Sequence, residues 1–305
     1  MISLVLTTYN GEKYIVEQLT SLKNQSRKID EVLIFDDQST DHTFEVVQKF
    51  IDSNGLSDWK IKVNEKNKGW RRNFVEGANA LNGDLIFFCD QDDIWMEHKV
   101  QMMADIMDQH EKIDVLAGKY IEFYDLPPET KGKTTNENAT IYPVKQDSHL
   151  LYTELPGCVF CVRASFWKRI IKHWNGIFSH DGISWAAAKL CGSLYILDTP
   201  VIYWRKHYNS AYTITSRDVK TNNNRVKWLE NFQKNLDCLK KIAEDLELPE
   251  EKCFQIERNE RFFQLRIKML KSHNPFMLFK LLKYLDCYNK KKQFLLEVYL
   301  SLRKN

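Results

Sequence analysis

The sequence is poor in the features that mark membrane-spanning, secreted and disulfide-linked proteins. No apolar run approaches the roughly 18 to 20 residues that a membrane-spanning helix needs. The opening segment, residues 1–6, is short and lacks the basic start of a secretion signal, so we interpret it as a buried strand. Seven cysteines are scattered along the 305 residues without the spacing of a disulfide framework, which favours reduced thiols. We therefore expect a cytoplasmic protein that is soluble or lies peripherally on the inner face of the cell membrane.

Charge is unevenly distributed along the chain, although the net formal charge is only +3. Residues 1–200 contain 22 Lys and Arg against 29 Asp and Glu, whereas residues 201–305 contain 22 against 12. An acidic first part is typical of metal and nucleotide chemistry, and a basic second part favours an anionic surface as a partner. Apolar residues make up 43% of the chain, which allows a sizeable core and excludes wholesale disorder. We expect no nucleic acid among its partners.

The first 120 residues alternate short apolar runs with segments of helical spacing. Residues 2–7 and 31–35 are strand-like, and residues 85–89 form the nearly unbroken apolar run that buried parallel strands show. This alternation predicts right-handed βαβ units, and so an α/β fold with a mostly parallel sheet flanked by helices. Ligands of such sheets lie beyond the carboxyl ends of the strands, which is where candidate residues must be sought.

The remaining chain divides by composition into three parts. Residues 125–149 are polar and interrupted by proline and glycine, which predicts a mobile loop. Helical patterns return after residue 150, and from about residue 213 the sequence is helical, amphipathic and basic. We therefore predict an α/β domain over residues 1–212 and a C-terminal helical region over residues 213–305.

Polar residues follow three of the predicted strands and would suit a nucleoside diphosphate. They are Thr-Thr-Tyr-Asn-Gly at 7–11, Asp-Asp-Gln-Ser-Thr-Asp at 36–41 and Asp-Gln-Asp-Asp-Ile-Trp at 90–95. Three acids within four residues cost electrostatic energy unless a cation shares the site. Mg²⁺ and Mn²⁺ prefer oxygen ligands and commonly bridge carboxylates to phosphates. We therefore predict a divalent ion here; the alternative is that Asp36, Asp41 and Asp93 only cap helices.

These motifs, in combination, resemble glycosyltransferase family 2, and most closely its bacterial rhamnosyltransferase-like members. The resemblance covers residues 1–212 and also rests on Asn67-Lys68-Gly69, Asn73-Phe74, Gly157-Cys158, His180-Asp181 and the Tyr-Trp-Arg-Lys-His-Tyr-Asn run at 203–209. It implies a GT-A fold, an inverting mechanism and a nucleoside-diphosphate sugar donor. The donor would be a UDP- or dTDP-sugar, with rhamnose as one candidate, and the acceptor a glycan or lipid-linked saccharide of a cell-surface polysaccharide.

The same resemblance implies roles for individual donor-binding residues. Thr7 and Tyr9 would line the base pocket, Asp37 would accept the pyrimidine imide N–H, and Asp90 would lie near the ribose. Asn67 and either Arg71 or Arg72 would contact the donor. The sequence does not rank the two arginines, and a solvated helix start is the alternative for both.

The resemblance also implies the metal ligands and the catalytic base. Asp92 would bind Mn²⁺ or Mg²⁺, and His207 would complete the metal or diphosphate site from the far side. Inversion by single displacement needs one general base, and Asp181 matches its position; the alternative role of Asp181 is an N-cap. His180 would be a supporting group behind the site or an ordinary surface residue.

Other metal sites and other functions are less well supported by the sequence. Cys158 and Cys161 have the spacing of half a zinc site, but no second pair accompanies them. A sugar nucleotidylyltransferase would need a glycine-rich triphosphate-binding loop after the first strand, which Gly11 alone does not supply. The main alternative is a non-catalytic nucleotide-sugar-binding or assembly subunit that keeps the fold.

The basic tail contains a segment, Phe276–Leu285, that mixes aromatic residues, leucines and lysines. Residues 261–305 contain 11 Lys and Arg against 2 acids. A basic amphipathic helix with apolar residues on one face can lie in an anionic membrane interface. The alternatives are a helix packed on its own catalytic domain or on a partner subunit, which would make the C-terminal helices an oligomer contact.

Overall fold

The computed structural model describes residues 1–124, 139–207 and 221–302. Its centre is a nine-stranded sheet in the order β3-β2-β1-β4-β8-β6-β9-β5, with β7 paired to β9. The strands are β1 Ile2–Thr8, β2 Glu31–Asp36, β3 Trp59–Val63, β4 Leu85–Cys89, β5 Ile94–Trp95, β6 Val115–Phe123, β7 Ile141–Pro143, β8 Phe160–Arg163 and β9 Leu194–Arg205. Strands β1 to β4 are mutually parallel where they pair, whereas β8 runs antiparallel to both of its neighbours, β4 and β6.

Helices pack around this sheet and continue into the tail. The α-helices are α1 Ile15–Lys23, α2 Thr43–Ser53, α3 Trp70–Asn79, α4 Lys99–Gln109, α5 Ala164–Ile170, α6 His180–Cys191, α7 Asn222–Asp245, α8 Glu250–Ser272, α9 Leu278–Leu281 and α10 Lys291–Leu302. Short 3₁₀ helices cover Gly157–Val159, Ile171–His173, Pro275–Met277 and Leu282–Cys287. Among the described helices, none combines the length and apolar character that crossing a bilayer requires.

The parallel half of the sheet forms where the sequence predicted it. All seven residues of β1 are buried, because β1 pairs with β2 on one side and β4 on the other. Helix α3 lies close against this half, and a side chain at Gly77 would come within 2.6 Å of Val5. The predicted α/β class is therefore confirmed, and a mixed half is added to the parallel one.

The register of these strands sets the position of the candidate site. Thr8, near the end of β1, pairs with Asp36 at the end of β2, and Leu6 pairs with Cys89 at the end of β4. The polar residues that follow each strand therefore leave the sheet at one edge, as the parallel topology predicts.

Part of the predicted mobile loop is a strand, so that prediction was wrong for β7. Residues 141–143 pair antiparallel with β9 at Ile141–Leu197, Tyr142–Ile196 and Pro143–Tyr195. A strand of three residues is too short to produce a periodic apolar pattern, and Pro143 argues against a strand because proline cannot donate a backbone hydrogen bond to a sheet. Residues 125–138 of that loop, and the predicted domain boundary at 212/213, lie outside the described residues.

The tail helices α7 and α8 pack on the α/β body. The side chain of Asn175 donates to the carbonyl of Lys234 at 2.9 Å, and that of Gln146 donates to the carbonyl of Lys252 at 2.7 Å. The hydrophobic core is continuous from Leu4 in the sheet to Leu270 in α8. Helices α7 and α8 of the tail therefore pack on the α/β body of the same chain.

Candidate active site at the carboxyl edge of the sheet

Gln91 joins the loop after β1 to the loop after β4. Its Oε1 accepts hydrogen bonds from Thr8 Oγ1 at 2.7 Å and from the backbone N–H of Tyr9 at 2.8 Å, and its Nε2 donates to the Tyr9 carbonyl at 3.2 Å. A side chain at Gly11 would come within 2.4 Å of Gln91 Oε1, so glycine is required for this approach. The loops that would receive a nucleotide are thereby held together before any ligand binds.

The loop after β2 is held by its own side chains. Asp36 accepts hydrogen bonds from the N–H and the hydroxyl of Ser39, at 2.7 and 2.6 Å, and the Ser39 hydroxyl accepts from the N–H of Asn10 at 2.8 Å. Asn10 and Gln38 have φ values of 50° and 67°, in the left-handed region that side chains disfavour. Such backbone strain persists where surrounding contacts enforce it, and it concentrates at binding sites.

Asp37 is buried and orders the loop that precedes α3. Its Oδ1 accepts from the N–H of Lys68 and from the side chain of Asn64, both at 2.8 Å, and its Oδ2 accepts from the N–H of Gly69 at 2.8 Å. A carboxylate oxygen can accept two hydrogen bonds, so Oδ2 can also accept from a ligand. Exposed Asn67 lies in the same loop, and its side-chain oxygen accepts from Gly69 at 3.0 Å.

The structure separates Arg71 from Arg72, which the sequence could not rank. Arg71 is half-buried, with its guanidinium 4.3 Å from the ring centroid of Trp70. Burial lowers the pKa of Arg71, whereas the nearby charge of Asp181 acts in the opposite direction. Arg72 is exposed, and its guanidinium lies 3.5 Å from Glu76 on the same helix. Arg71 therefore faces the predicted base, and Arg72 faces solvent.

The three acids after β4 form a crowded group whose negative charge is poorly compensated. Asp93 is buried, and its Oδ1 accepts the backbone N–H of Arg205 at 3.1 Å. Burial, followed by the charges of Asp90 and Asp92, raises the pKa of Asp93 well above its usual range. Burial, followed by the charges of Asp92 and Asp181, raises the pKa of Asp90 to about 7. A cation bound here would relieve the repulsion.

Two buried basic residues lie beneath this group, and their side chains donate to backbone carbonyls of the site. Arg205 donates to the carbonyl of Asp92 at 2.8 Å and pairs with Glu17 of α1. Lys99 donates to the carbonyl of Cys158 at 2.6 Å and lies 3.2 Å from the ring centroid of Trp95. Burial lowers the pKa of Lys99 to about 8.

Among the described residues, two sets of side chains could hold a metal ion. Asp92 Oδ2 and His207 Nε2 lie 2.7 Å apart, with 23% and 30% of their side chains exposed. Asp90, Asp93 and Cys158 present ligand atoms within 4.8 Å of one another. Burial raises the pKa of Cys158 well above its usual range, and a neutral thiol is a poor ligand for Mg²⁺ or Mn²⁺. Asp92 and His207 fit the predicted ion better, because they are accessible and lie beside the uncompensated acids.

Asp181 and His180 stand at the start of α6. Ser179 caps this helix by accepting the Gly182 N–H at 3.2 Å, so Asp181 is not the N-cap, although its Oδ1 also accepts that N–H at 2.8 Å. His180 is buried, its ring 4.6 Å from that of Phe88, and burial lowers its pKa to about 4. The alternative of a surface residue is therefore wrong for His180, whose ring is buried against Phe74 and Phe88.

The capping alternative for the other acids has a divided outcome. Asp41 accepts from the N–H of Thr43 at 3.1 Å, so it does hold the start of α2. Asp36 instead braces its own loop through Ser39. Asp93 binds strand β9 and caps no helix, since the next helix begins at Lys99.

The family assignment follows from a match over most of the α/β body. The family model for glycosyl transferase family 2 matches residues 3–170. The chain belongs to glycosyl transferase family 2. This span contains the loops after β1, β2 and β4, and so most of the residues that form the crowded acidic edge.

Two relatives of known name are sugar transferases. The dTDP-rhamnosyl transferase RfbG of Shigella flexneri is 28% identical over 217 residues, which cover 67% of this chain and 72% of that protein. The poly(ribitol-phosphate) beta-N-acetylglucosaminyltransferase TarS of Staphylococcus aureus is 30% identical over 161 residues, which cover 52% of this chain and 27% of TarS. The chain thus matches about a quarter of the length of TarS.

A solved structure shows the same fold. The structure of S. aureus TarS 1-349 in complex with UDP has a TM-score of 0.60 and 18% identity, and it covers 98% of this chain and 89% of that one. This likeness confirms the predicted GT-A fold of the family-2 chain.

Sequence reasoning missed three residues that shape this family-2 site. Gln91 lies inside the acidic motif, but its bond to the β1 loop joins residues 82 positions apart. Arg205 and Lys99 are buried beneath the acids. The sequence did not indicate this, because basic residues are usually interpreted as exposed. The available signal was a nearby tryptophan, since Arg205 directly follows Trp204 and Lys99 lies four residues after Trp95.

Proposed function

We propose that this chain is an inverting glycosyltransferase that uses a UDP- or dTDP-sugar and a glycan or lipid-linked saccharide acceptor. The observation that carries the proposal is the crowded acidic edge, where Asp90 lies within electrostatic reach of Asp92 and Asp181, and Asp181 lies within reach of Arg71. Clustered carboxylates of this kind can bind a divalent ion that also binds a diphosphate. The relative RfbG makes dTDP-rhamnose one candidate donor, and TarS makes UDP-GlcNAc another.

In the proposed donor complex, the base lies across the loops after β1 and β2. Tyr9 is 48% exposed at this edge and can stack on a pyrimidine, while Thr7 lies beneath it. Asp37 Oδ2 accepts the imide N–H, beside the bond that it already accepts from Gly69. Asp90 binds the ribose, and Asn67 and Arg71 contact the donor. Arg72 is left out of this set, because it turns toward Glu76.

Asp92 and His207 would hold Mn²⁺ or Mg²⁺. A bound ion would supply charge neutralisation for the diphosphate as its bond to the sugar breaks. The chain's own contribution is to hold Asp92 in place, through the bond from Arg205 to its carbonyl and the contact with His207.

Asp181 is the proposed general base. The acceptor oxygen forms a bond to the anomeric carbon as the bond from that carbon to the diphosphate oxygen breaks. The acceptor proton passes to the Asp181 carboxylate, and the diphosphate leaves with the bonding electron pair. Attack opposite the leaving group inverts the configuration, and one carboxylate suffices for this step.

The acceptor would approach from the side of the mixed half of the sheet. A cavity of about 380 Å³ there is lined by residues including Lys119, Tyr142 and Glu154. Glu154 lies three residues before Gly157, and a side chain at Gly157 would come within 2.9 Å of Asp181 Cβ. An exposed aromatic ring with flanking polar groups suits a sugar.

Donor binding tests the proposal directly. Calorimetric titration of UDP, dTDP and GDP with and without Mn²⁺ should show metal-dependent binding of the first two, lost in Asp92→Ala with the fold intact. Unchanged metal-dependent affinity in Asp92→Ala would remove Asp92 as a ligand. Absence of donor hydrolysis with Mn²⁺, despite tight binding, would instead favour the non-catalytic binding subunit.

A further inference from the structure

The end of the tail exposes apolar side chains at every third position. Phe276, Phe279, Leu282 and Leu285 are 76%, 71%, 49% and 44% exposed. They lie on a run of short helices, Pro275–Met277, Leu278–Leu281 and Leu282–Cys287, of which the first and last are 3₁₀. Side chains three apart lie near one another on such helices. The backbone departs from helical geometry at Tyr284, with φ −121° and ψ 20°, but all four side chains remain exposed. We call these four residues the apolar stripe.

The opposite side of this segment is anchored to the protein. Leu281, Cys287 and Tyr288 are buried. Arg258 of α8 donates to the Lys283 carbonyl at 3.0 Å, and Ser148 of the body donates to the Asp286 carbonyl at 2.7 Å. The stripe is therefore held outward by a segment whose inner side is fixed.

Lysines flank the apolar stripe with the same spacing. Lys280 and Lys283 are both exposed, one residue after Phe279 and Leu282, so they form an adjacent basic row. Leu295 and Leu302 of α10 add further apolar surface, at 66% and 63% exposure.

The two acids of residues 261–305 are both neutralised within the protein. Glu297 is fully buried and is bound by Arg225 and Arg266. Asp286 forms a bidentate ion pair with Arg258, whose two guanidinium nitrogens lie 2.7 and 3.0 Å from the carboxylate oxygens. The outward surface of this region therefore carries basic charge that no neighbouring acid of the region offsets.

We infer that the apolar stripe and its lysines dock this chain on an anionic lipid bilayer. Phenylalanine and leucine enter the interface between headgroups and acyl chains, while the lysine row contacts anionic headgroups. A second copy of the chain is a poorer occupant, because a symmetric contact would bring two basic rows together. The inference concerns the tail, and it does not depend on the donor or on the proposed base.

Vesicle co-sedimentation of the full chain tests the inference. Binding should be strong on vesicles of phosphatidylcholine with about one-third phosphatidylglycerol, weak on phosphatidylcholine alone, and reduced at high salt. Phe276→Ser with Phe279→Ser, and separately Lys280→Gln with Lys283→Gln, should each weaken binding on the order of tenfold. The substituted side chains are exposed, so the melting temperature should not change.

Matched controls make the result specific. Phe254→Ser removes another phenylalanine, 60% exposed on α8, and Lys49→Gln with Lys62→Gln removes two exposed lysines of the body. Neither control should alter vesicle binding. The inference is overturned if the full chain ignores anionic vesicles at low salt or if the controls weaken binding equally. It is also overturned if sedimentation velocity shows a dimer that the stripe substitutions dissociate. Donor hydrolysis, measured without vesicles, should be the same in all variants and so reports on the proposed function separately.

Discussion

Two clusters of charged residues, one at the sheet edge and one in the tail, differ in how their charge is balanced. In the tail, Glu297 accepts hydrogen bonds from Arg266 at 2.9 and 2.6 Å, from Arg225 at 2.7 Å and from Tyr288 at 3.1 Å. Burial would raise the pKa of Glu297, but the charges and bonds of the two arginines outweigh it and lower the pKa. At the sheet edge, by contrast, burial and mutual repulsion raise the pKa values of Asp90 and Asp93.

This difference indicates that the tail cluster stabilises the fold, whereas the sheet-edge cluster is the candidate for chemistry. Buried Glu297 has two arginines and a tyrosine hydroxyl as partners within the chain, and these contacts connect α10 to α7 and α8. At the sheet edge, the buried side chains of Arg205 and Lys99 donate to backbone carbonyls, so an outside cation or retained protons would relieve the repulsion among the acids. Perturbed carboxylates in an accessible edge are typical of active sites.

Removing the central acid of the tail should have the largest effect on stability. Glu297→Ala leaves Arg225 and Arg266 buried and unpaired, and breaking a buried pair from one side costs about 3 to 5 kcal/mol. Denaturant unfolding should show this loss, and hydrogen exchange should rise first in α7, α8 and α10. Glu257→Ala, whose pair with Arg261 is exposed at 3.7 Å, should change stability by less than about 0.5 kcal/mol. Equal effects of the two substitutions would remove the distinction between the clusters.

The second prediction concerns Asp181, which borders the uncompensated acids. Asp181→Asn removes the base and should lower turnover about 10²- to 10⁴-fold, because general-base catalysis contributes that range. Donor affinity and melting temperature should stay near those of the parent, because Ser179 caps the helix and asparagine keeps the carboxamide oxygen. Single-turnover transfer assays and calorimetry measure the two quantities. Near-normal transfer would move the base elsewhere, with Asp93 and Glu154 next to test.

The parallel half of the fold was predictable because its signals are local. Apolar runs at 2–7, 31–35 and 85–89 became β1, β2 and β4, and the acids after them converged as the topology required. The grouping of Asp92 with His207 came from the family resemblance, and the two side chains are in contact.

What the sequence could not supply depends on distant pairs. Arg225 and Glu297 are 72 positions apart, and no local pattern marks them as partners. The burial of His180 against Phe88 needs the packing of α6 on the sheet, and β7 is too short to be periodic. The ranking of Arg71 over Arg72 also needed coordinates, because adjacent helical residues differ only in the direction they face.

The third prediction uses pH to compare the clusters. Asp90 has a folded pKa of about 7 against about 3.9 when unfolded, so between these values the native state binds more protons. Its contribution to stability therefore falls as pH rises from about 4 to 7 and is constant above that. Glu297, with a lowered pKa, contributes stability that is lost as pH falls through its folded pKa. Lowering the pH therefore reduces the repulsion among the acidic residues at the sheet edge and decreases the stabilisation that Glu297 gives the tail.

Melting curves of the chelator-treated protein and of Asp90→Asn isolate this effect. His180 has a folded pKa of about 4, so its contribution to the stability of the parent decreases as pH falls below about 6.5. This pH dependence is opposite in sign to that of Asp90. The difference between parent and variant cancels His180 and combines the loss of Asp90 with the relief of Asp93, whose pKa Asp90 raises. Both effects have the same sign, so Asp90→Asn should gain a few degrees relative to the parent as pH rises from 5 to 7. Mn²⁺ should reduce that gain, since a cation relieves the same repulsion. A pH-independent difference would show that the acids are already compensated.

The smallest expected effect separates two adjacent arginines at the sheet edge. Arg71 is half-buried and near Asp181, whereas Arg72 is exposed and pairs with Glu76, so Arg71 is the proposed contact of the donor diphosphate. A hydrogen bond between charged groups contributes about 1.5 to 3 kcal/mol, so Arg71→Ala should weaken donor binding at least tenfold. Arg72→Ala, the matched control with the same change in charge, loses an exposed pair with Glu76 and a contact with the Trp174 ring, and it should weaken donor binding less than threefold. Both affinities should be measured by calorimetry at one fixed salt concentration, because long-range attraction is equal for the two variants and screened alike. If Arg72→Ala weakened binding as much as Arg71→Ala, the two arginines would act only through net charge, and the orientation of Arg71 toward Asp181 would carry no role in binding.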